Sequence, residues 1–169
     1  YQGIVSRTRP LENIISAIKE LSYRNFKLLI LGKGDKDYIQ YLTSLDDSVF
    51  YGGYIPAPKH LIVTELCHIG IAFYEKNKLN NIFCAPNKIY EYSCFGLPMI
   101  ASNCISLEET VGMSGAGICV DFRSVDEIRF ALEQIETKYE TFSRQSVEFY
   151  KSVDNCSTMM NIIKGLEKQ

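Results

Sequence analysis

Short apolar runs alternate along this chain with segments in which apolar residues recur every three or four positions. The runs at 1–6, 26–31, 48–51, 69–73, 99–102 and 117–121 predict strands. Helical spacing predicts helices over 11–21, 36–43, 58–66, 86–95 and 107–112, and a tail that is helical from Val125 onward with breaks near Thr141 and Asp154. Strands that alternate with helices imply a parallel sheet, because parallel neighbours need a crossover and a helix supplies it. The expected fold class is therefore α/β, a Rossmann-like three-layer sandwich in one domain spanning 1–169, with ligands bound beyond the carboxyl ends of the strands. No apolar run reaches membrane-spanning length. The polar stretch 75–83 reads as a long loop that shapes the ligand site.

The segment from Ala85 to Pro98 carries the most chemistry. Pro86 suits the first position of a helix, and Gly96 with Pro98 ends it. Neither Cys84 nor Ala85 caps that start well, so the free backbone N–H groups near Asn87 and Lys88 are open to an anion such as phosphate. Lys88 in the first turn opposes the helix dipole, a penalty that an anion would reverse. Asn87, Lys88 and Glu91 share one face, while Ile89, Ser93 and Gly96 form a narrow stripe suited to close packing on a sheet. The plainer interpretation of Lys88 and Glu91 is a solvated ion pair.

Composition removes several classes of function. The 169 residues are 46% hydrophobic, enough for one substantial core, and the net charge of −2 gives no basic footprint for nucleic acid. Six cysteines at 67, 84, 94, 104, 119 and 156 form no Cys-x-x-Cys pair, and with His60 and His68 as the only histidines they suit reduced thiols better than disulfides or a metal site. Gly32-Lys33-Gly34 lacks the third glycine of a dinucleotide fingerprint, Asp37 standing in its place, and reads as a tight strand-to-helix turn. The chain opens on Tyr1 with neither Met nor leader, which reads as one domain of a longer protein.

Four groups of residues resemble the C-terminal, donor-binding domain of the family-4 (group 1) glycosyltransferases of GT-B fold. They are Tyr1-Gln2-Gly3 with Arg9 and Leu11-Glu12; Leu31-Gly32-Lys33-Gly34; Val49-x-Tyr51-x-Gly53-x-Ile55; and the block from Ala85-Pro86-Asn87-Lys88 to Gly96-x-Pro98. The resemblance covers nearly the whole chain and is strongest to enzymes of bacterial capsule, lipopolysaccharide or exopolysaccharide assembly. It implies a UDP- or GDP-sugar donor, no metal ion, and a partner in the acceptor-binding N-terminal half of the same protein. It also implies a cytoplasmic location, with peripheral contact at the inner face of the membrane through the absent half. By the same resemblance Glu91 holds the ribose hydroxyls, Arg9 and Lys88 act on the diphosphate as catalytic groups, and Phe83, Cys84, Ala85, Pro86 and Asn87 form the donor loop. Backbone around Gly53 and Tyr54 flanks the base. Two positions depart from the family: Phe83 stands where a first glutamate contacts the donor sugar, and Ile4 stands where a basic residue helps hold the diphosphate, leaving Lys88 or Arg7 to supply that charge.

Three functional readings stay open on sequence. The first is a glycosyltransferase donor domain that transfers a sugar with retention to a saccharide or lipid-linked acceptor. The others are a nucleotide-binding or interaction module without turnover, and a sugar-nucleotide epimerase of the same fold.

Overall fold

The computed structural model describes residues 1–75 and 79–153. In order, the elements are α1 (Glu12–Glu20), β1 (Leu28–Ile30), α2 (Lys36–Ser44), β2 (Val49–Tyr51), α3 (His60–Glu65), β3 (Gly70–Ala72), α4 (Leu79–Ile82), α5 (Asn87–Cys94), β4 (Met99–Ser102), α6 (Ile105–Leu107), β5 (Gly117–Val120), α7 (Val125–Thr137) and α8 (Tyr139–Ser152). A 3₁₀ turn at Ser22–Arg24 follows α1, and a π-helical turn at Glu108–Gly112 follows α6. All strand pairs are parallel: β1 pairs with β2, and β4 lies between β3 and β5.

Alternation along the strands divides the interior into two cores, which makes the three layers of an α/β sandwich. Ile71 and Ile100 point to a core shared with α1, α2 and α7, whereas Ala72, Met99 and Ala101 point to a second core under α5 and α8. On α7 the spacing of Ile128, Ala131, Leu132 and Ile135 buries one stripe, and Ser124 caps its start by accepting from Glu127 N–H. Asp35 caps α2 in the same way through Tyr38 N–H.

Four expectations are corrected. The predicted first strand is an extended segment joined to β1 and its following turn by isolated parallel bridges, Gln2 to Leu31 and Val5 to Gly34. Glycines 32 and 34 permit that approach, since a Cβ on either would collide with the backbone of Gly3 or Val5. The break in the C-terminal helices falls at Lys138, and α8 runs through Thr141 unbroken. The change of direction has a packing cause, because α7 buries its stripe in the first core while Phe149 of α8 enters the second. Residues 79–82 of the expected loop form a helical turn, α4. Gly96 faces α8 rather than the sheet: a Cβ there would meet Val147 and Ser143. The expected break near Asp154, the last cysteine and residues 76–78 of the loop lie outside the described residues.

Gly70 gives the clearest stability test. A Cβ at this position would enter the Tyr92 ring, which is 3% exposed. Gly70→Ala is expected to cost about 1–3 kcal/mol by overpacking, read as a lowered midpoint in chemical unfolding. A change under about 0.5 kcal/mol would show that Tyr92 has room to yield.

Candidate functional site

A cleft of about 670 Å³ opens at the carboxyl ends of the first segment, β1 and β2 and is closed from below by the start of α5. Its walls come from Gln2 to Ile4, from Leu31 to Lys33 after β1, from Tyr54, Ile55 and Ala57 after β2, and from Ala85 to Lys88 with Glu91. This is the position that a parallel sheet reserves for a ligand.

Helix α5 positions the charged groups. Ile89, Tyr92 and Ser93 are buried, and the Ser93 hydroxyl donates to the Ile89 carbonyl at 2.6 Å, so the helix is fixed along its inner face. Pro86 takes the N-cap position rather than the first helical one, with ψ of 139°, and no side chain caps the helix. The start of α5 therefore lines the cleft with its dipole uncompensated by the protein.

Lys88 is not a solvated partner of Glu91. It is 8% exposed, donates from Nζ to the Gln2 carbonyl at 2.8 Å, and lies over the rings of Tyr1 and Tyr74 at 4.8 and 5.2 Å. Burial, reinforced by the nearby Arg9 guanidinium and opposed by Glu91, lowers the Lys88 pKa to about 7. The Arg9 guanidinium also lies over Tyr74, 5.5 Å from the ring centre. Tyr74 thus sits within cation–π range of both cations. Its own hydroxyl is pushed up to about 12, chiefly by burial.

Glu91 meets Gln2 and His60 across the cleft. Gln2 Nε2 donates to Glu91 Oε2, and His60 Nε2 lies 3.3 Å from the same oxygen. Further out, Lys33 Nζ sits 4.2 Å from the centre of the Tyr54 ring, and the Tyr51 hydroxyl donates to the Gly32 carbonyl at 2.7 Å.

The structure brings together Lys88, Glu91, Asn87, Pro86, Ala85 and Tyr54 of the sequence-derived set. Arg9 stands at the edge, beside Tyr74 rather than on the cleft wall. Gly53 adjoins the cleft in a left-handed turn (φ 78°), with its carbonyl accepting from Gly32 N–H. Cys84 and Phe83 lie outside the wall: the Cys84 thiol turns to the Asn81 carbonyl, and Phe83 is 63% exposed. Arg7 is excluded as the substitute for the missing cation, because its guanidinium lies over Tyr38 and Tyr41. Gln2, Lys33, His60 and Thr64 are members of the site or its support that sequence spacing did not reveal. Only Gln2 and Lys33 had a signal, as members of the Tyr1-Gln2-Gly3 and Leu31-Gly32-Lys33-Gly34 groups. Among the described residues no group of three or more His, Cys, Asp or Glu could hold a metal ion, and no helix is long and apolar enough to cross a membrane.

The family model described as Glycosyl transferases group 1 matches residues 3–138. No curated protein matches the sequence. Solved structures do. HepE from Anabaena in complex with UDP superposes with a TM-score of 0.71 at 14% identity, covering 99% of this chain and 48% of that one. The pneumococcal O-GlcNAc transferase GtfA in complex with UDP and GlcNAc gives 0.71 at 12% identity, covering 99% and 35%. Sucrose-phosphate synthase from Thermosynechococcus elongatus gives 0.71 at 19% identity, covering 98% and 45%. At such identities the likeness is one of fold, and this chain spans between a third and a half of the length of each of these proteins.

Proposed function

The chain belongs to the group 1 glycosyl transferases, and from that premise we propose that it is the donor-binding half of a two-domain GT-B enzyme that uses a nucleoside-diphosphate sugar. The observation that carries this reading is the buried Lys88 beside an uncapped helix start, facing a cleft that also holds Glu91. A lysine is desolvated at a cost, and an anion placed over it restores the lost interaction. UDP in the structures of HepE and GtfA makes a nucleoside diphosphate the natural candidate.

In this reading Lys88 and the start of α5 stabilise charge as it develops on the leaving diphosphate, with Arg9 close enough to add to the field. Glu91 accepts from the ribose hydroxyls, and the turn after β2 flanks the base. No side chain is assigned as nucleophile, and transfer with retention follows the resemblance to the family. The acceptor, a saccharide or lipid-linked species in surface polysaccharide assembly, binds to the other half of the protein at the inner face of the membrane. Phosphate binding by basic side chains and backbone dipoles takes the place of a metal ion.

Phe83 favours a second reading, a nucleotide-binding module without turnover, because an exposed phenyl ring supplies no acceptor to a sugar hydroxyl. Full-length protein that binds donor and transfers no sugar to any acceptor would assign that reading.

The direct test is thermal unfolding with UDP, GDP, CDP and ADP. One diphosphate at about 100 times its Kd is expected to stabilise the chain by about 2.7 kcal/mol, a shift of several degrees, and EDTA is expected to leave that shift unchanged. Stabilisation by none of the four overturns the donor-binding reading. A strict requirement for Mg²⁺ overturns the metal-free part of it.

A further inference from the structure

The Glu91 carboxylate is held on one oxygen only. Gln2 Nε2 and His60 Nε2 both meet Oε2, whereas Oε1 makes no hydrogen bond among the described residues. The Gln2 amide is itself oriented: the Thr64 hydroxyl, on a residue 2% exposed, donates to Gln2 Oε1 at 2.8 Å and lies 3.1 Å from the His60 carbonyl. With its carbonyl turned to Thr64, the amide presents its NH₂ group to Glu91. A carboxylate offers about four acceptor positions, two on each oxygen. Gln2 donates to Oε2 and the His60 ring lies against the same oxygen, which leaves the pair on Oε1, and Glu91 lines the cleft.

We propose that Gln2, backed by Thr64 and flanked by His60, is a positioning residue that turns Glu91 so that Oε1 accepts both hydroxyls of a vicinal diol, the ribose of a nucleotide. This rests on the donor-binding reading above. Gln2 serves two groups through different atoms, since its backbone carbonyl accepts from Lys88 Nζ while its side chain holds Glu91. A side-chain change at Gln2 therefore acts on the diol contact and leaves the Lys88 contact in place.

Calorimetric titration of the 169-residue chain with UDP, 2′-deoxy-UDP and uridine separates these effects. Gln2→Met, close in length but without hydrogen-bonding groups, is expected to lower UDP affinity about tenfold and to bring the affinities for UDP and 2′-deoxy-UDP together, while keeping the preference for UDP over uridine. Thr64→Val, which keeps the shape and removes the hydroxyl, is expected to act in the same direction and carries the test should Gln2→Met not fold. In a Glu91→Ala background Gln2→Met is expected to add no further loss, because both changes remove one contact. An unchanged ribose preference in both single variants, or fully additive losses in the double variant, would overturn the proposal while leaving the donor reading intact. Wild-type chain that binds none of the three ligands would overturn the donor reading, and the proposal with it.

Discussion

Lys88→Met is expected to weaken UDP binding by about 2–3 kcal/mol, roughly 30- to 150-fold, with little effect on uridine. Methionine matches the lysine stem and removes only the amine, so the loss reads the charge rather than a cavity. The same amine makes binding depend on pH. In the free chain burial sets its pKa near 7, and a bound diphosphate favours the protonated form. Binding above pH 7 must then take up a proton, so affinity falls as pH rises beyond 7, and Lys88→Met flattens that slope. Titrations in buffers of different ionisation enthalpy measure the proton uptake directly. Stability without ligand runs the other way. Between pH 7 and 10.5 the unfolded chain carries this proton and the folded chain does not, so the wild type gains stability relative to Lys88→Met as pH rises through that window. Equal losses for uridine and UDP, or a pH slope unchanged in the variant, would remove Lys88 from the phosphate site.

Glu91→Ala is expected to cost about 1.5–3 kcal/mol in UDP binding, roughly 10- to 150-fold, and to erase the preference for UDP over its 2′-deoxy analogue. A carboxylate accepts two hydroxyl donors at once, and such charge-assisted bonds are strong when the group is already oriented. Orientation is what the structure adds: Gln2 and His60 meet Oε2 before any ligand arrives. Removing Glu91 also leaves the Gln2 amide without its acceptor and the His60 ring without its carboxylate neighbour, so unfolding must be measured alongside binding. A surface partner of Lys88 would cost under about 1 kcal/mol and keep the ribose preference. That outcome would place the nucleotide elsewhere.

The α/β class, the parallel pairing and the presence of a helix framed by Pro86 and Gly96 were all legible in the sequence. Each depends on local periodicity or on residues adjacent in the chain: the apolar runs that became β1 to β5, the stripe of α7, and the Pro86 to Gly96 frame around α5. Lys88 and Glu91 were legible as candidates because one helical turn separates them. Their state was not legible. Whether Lys88 is solvated or buried depends on Tyr1, Gln2 and Tyr74, which lie far away in sequence and reach it only when the first segment lies along β1 and the residues after β3 meet α5. Glu91 likewise owes its setting to Gln2, His60 and Thr64, contributed by the first segment and by α3. The same limit misplaced Arg7, Phe83 and the break between α7 and α8. Local spacing says which face of a helix a side chain occupies, but what covers that face is set by elements brought against it from elsewhere in the chain. The sequence by itself determined the alternation of strands and helices and the Pro86 to Gly96 frame of α5. Only the tertiary structure decided which charge is desolvated, which carboxylate oxygen is already held, and which cations turn away, because those follow from burial and from partners that no local pattern encodes.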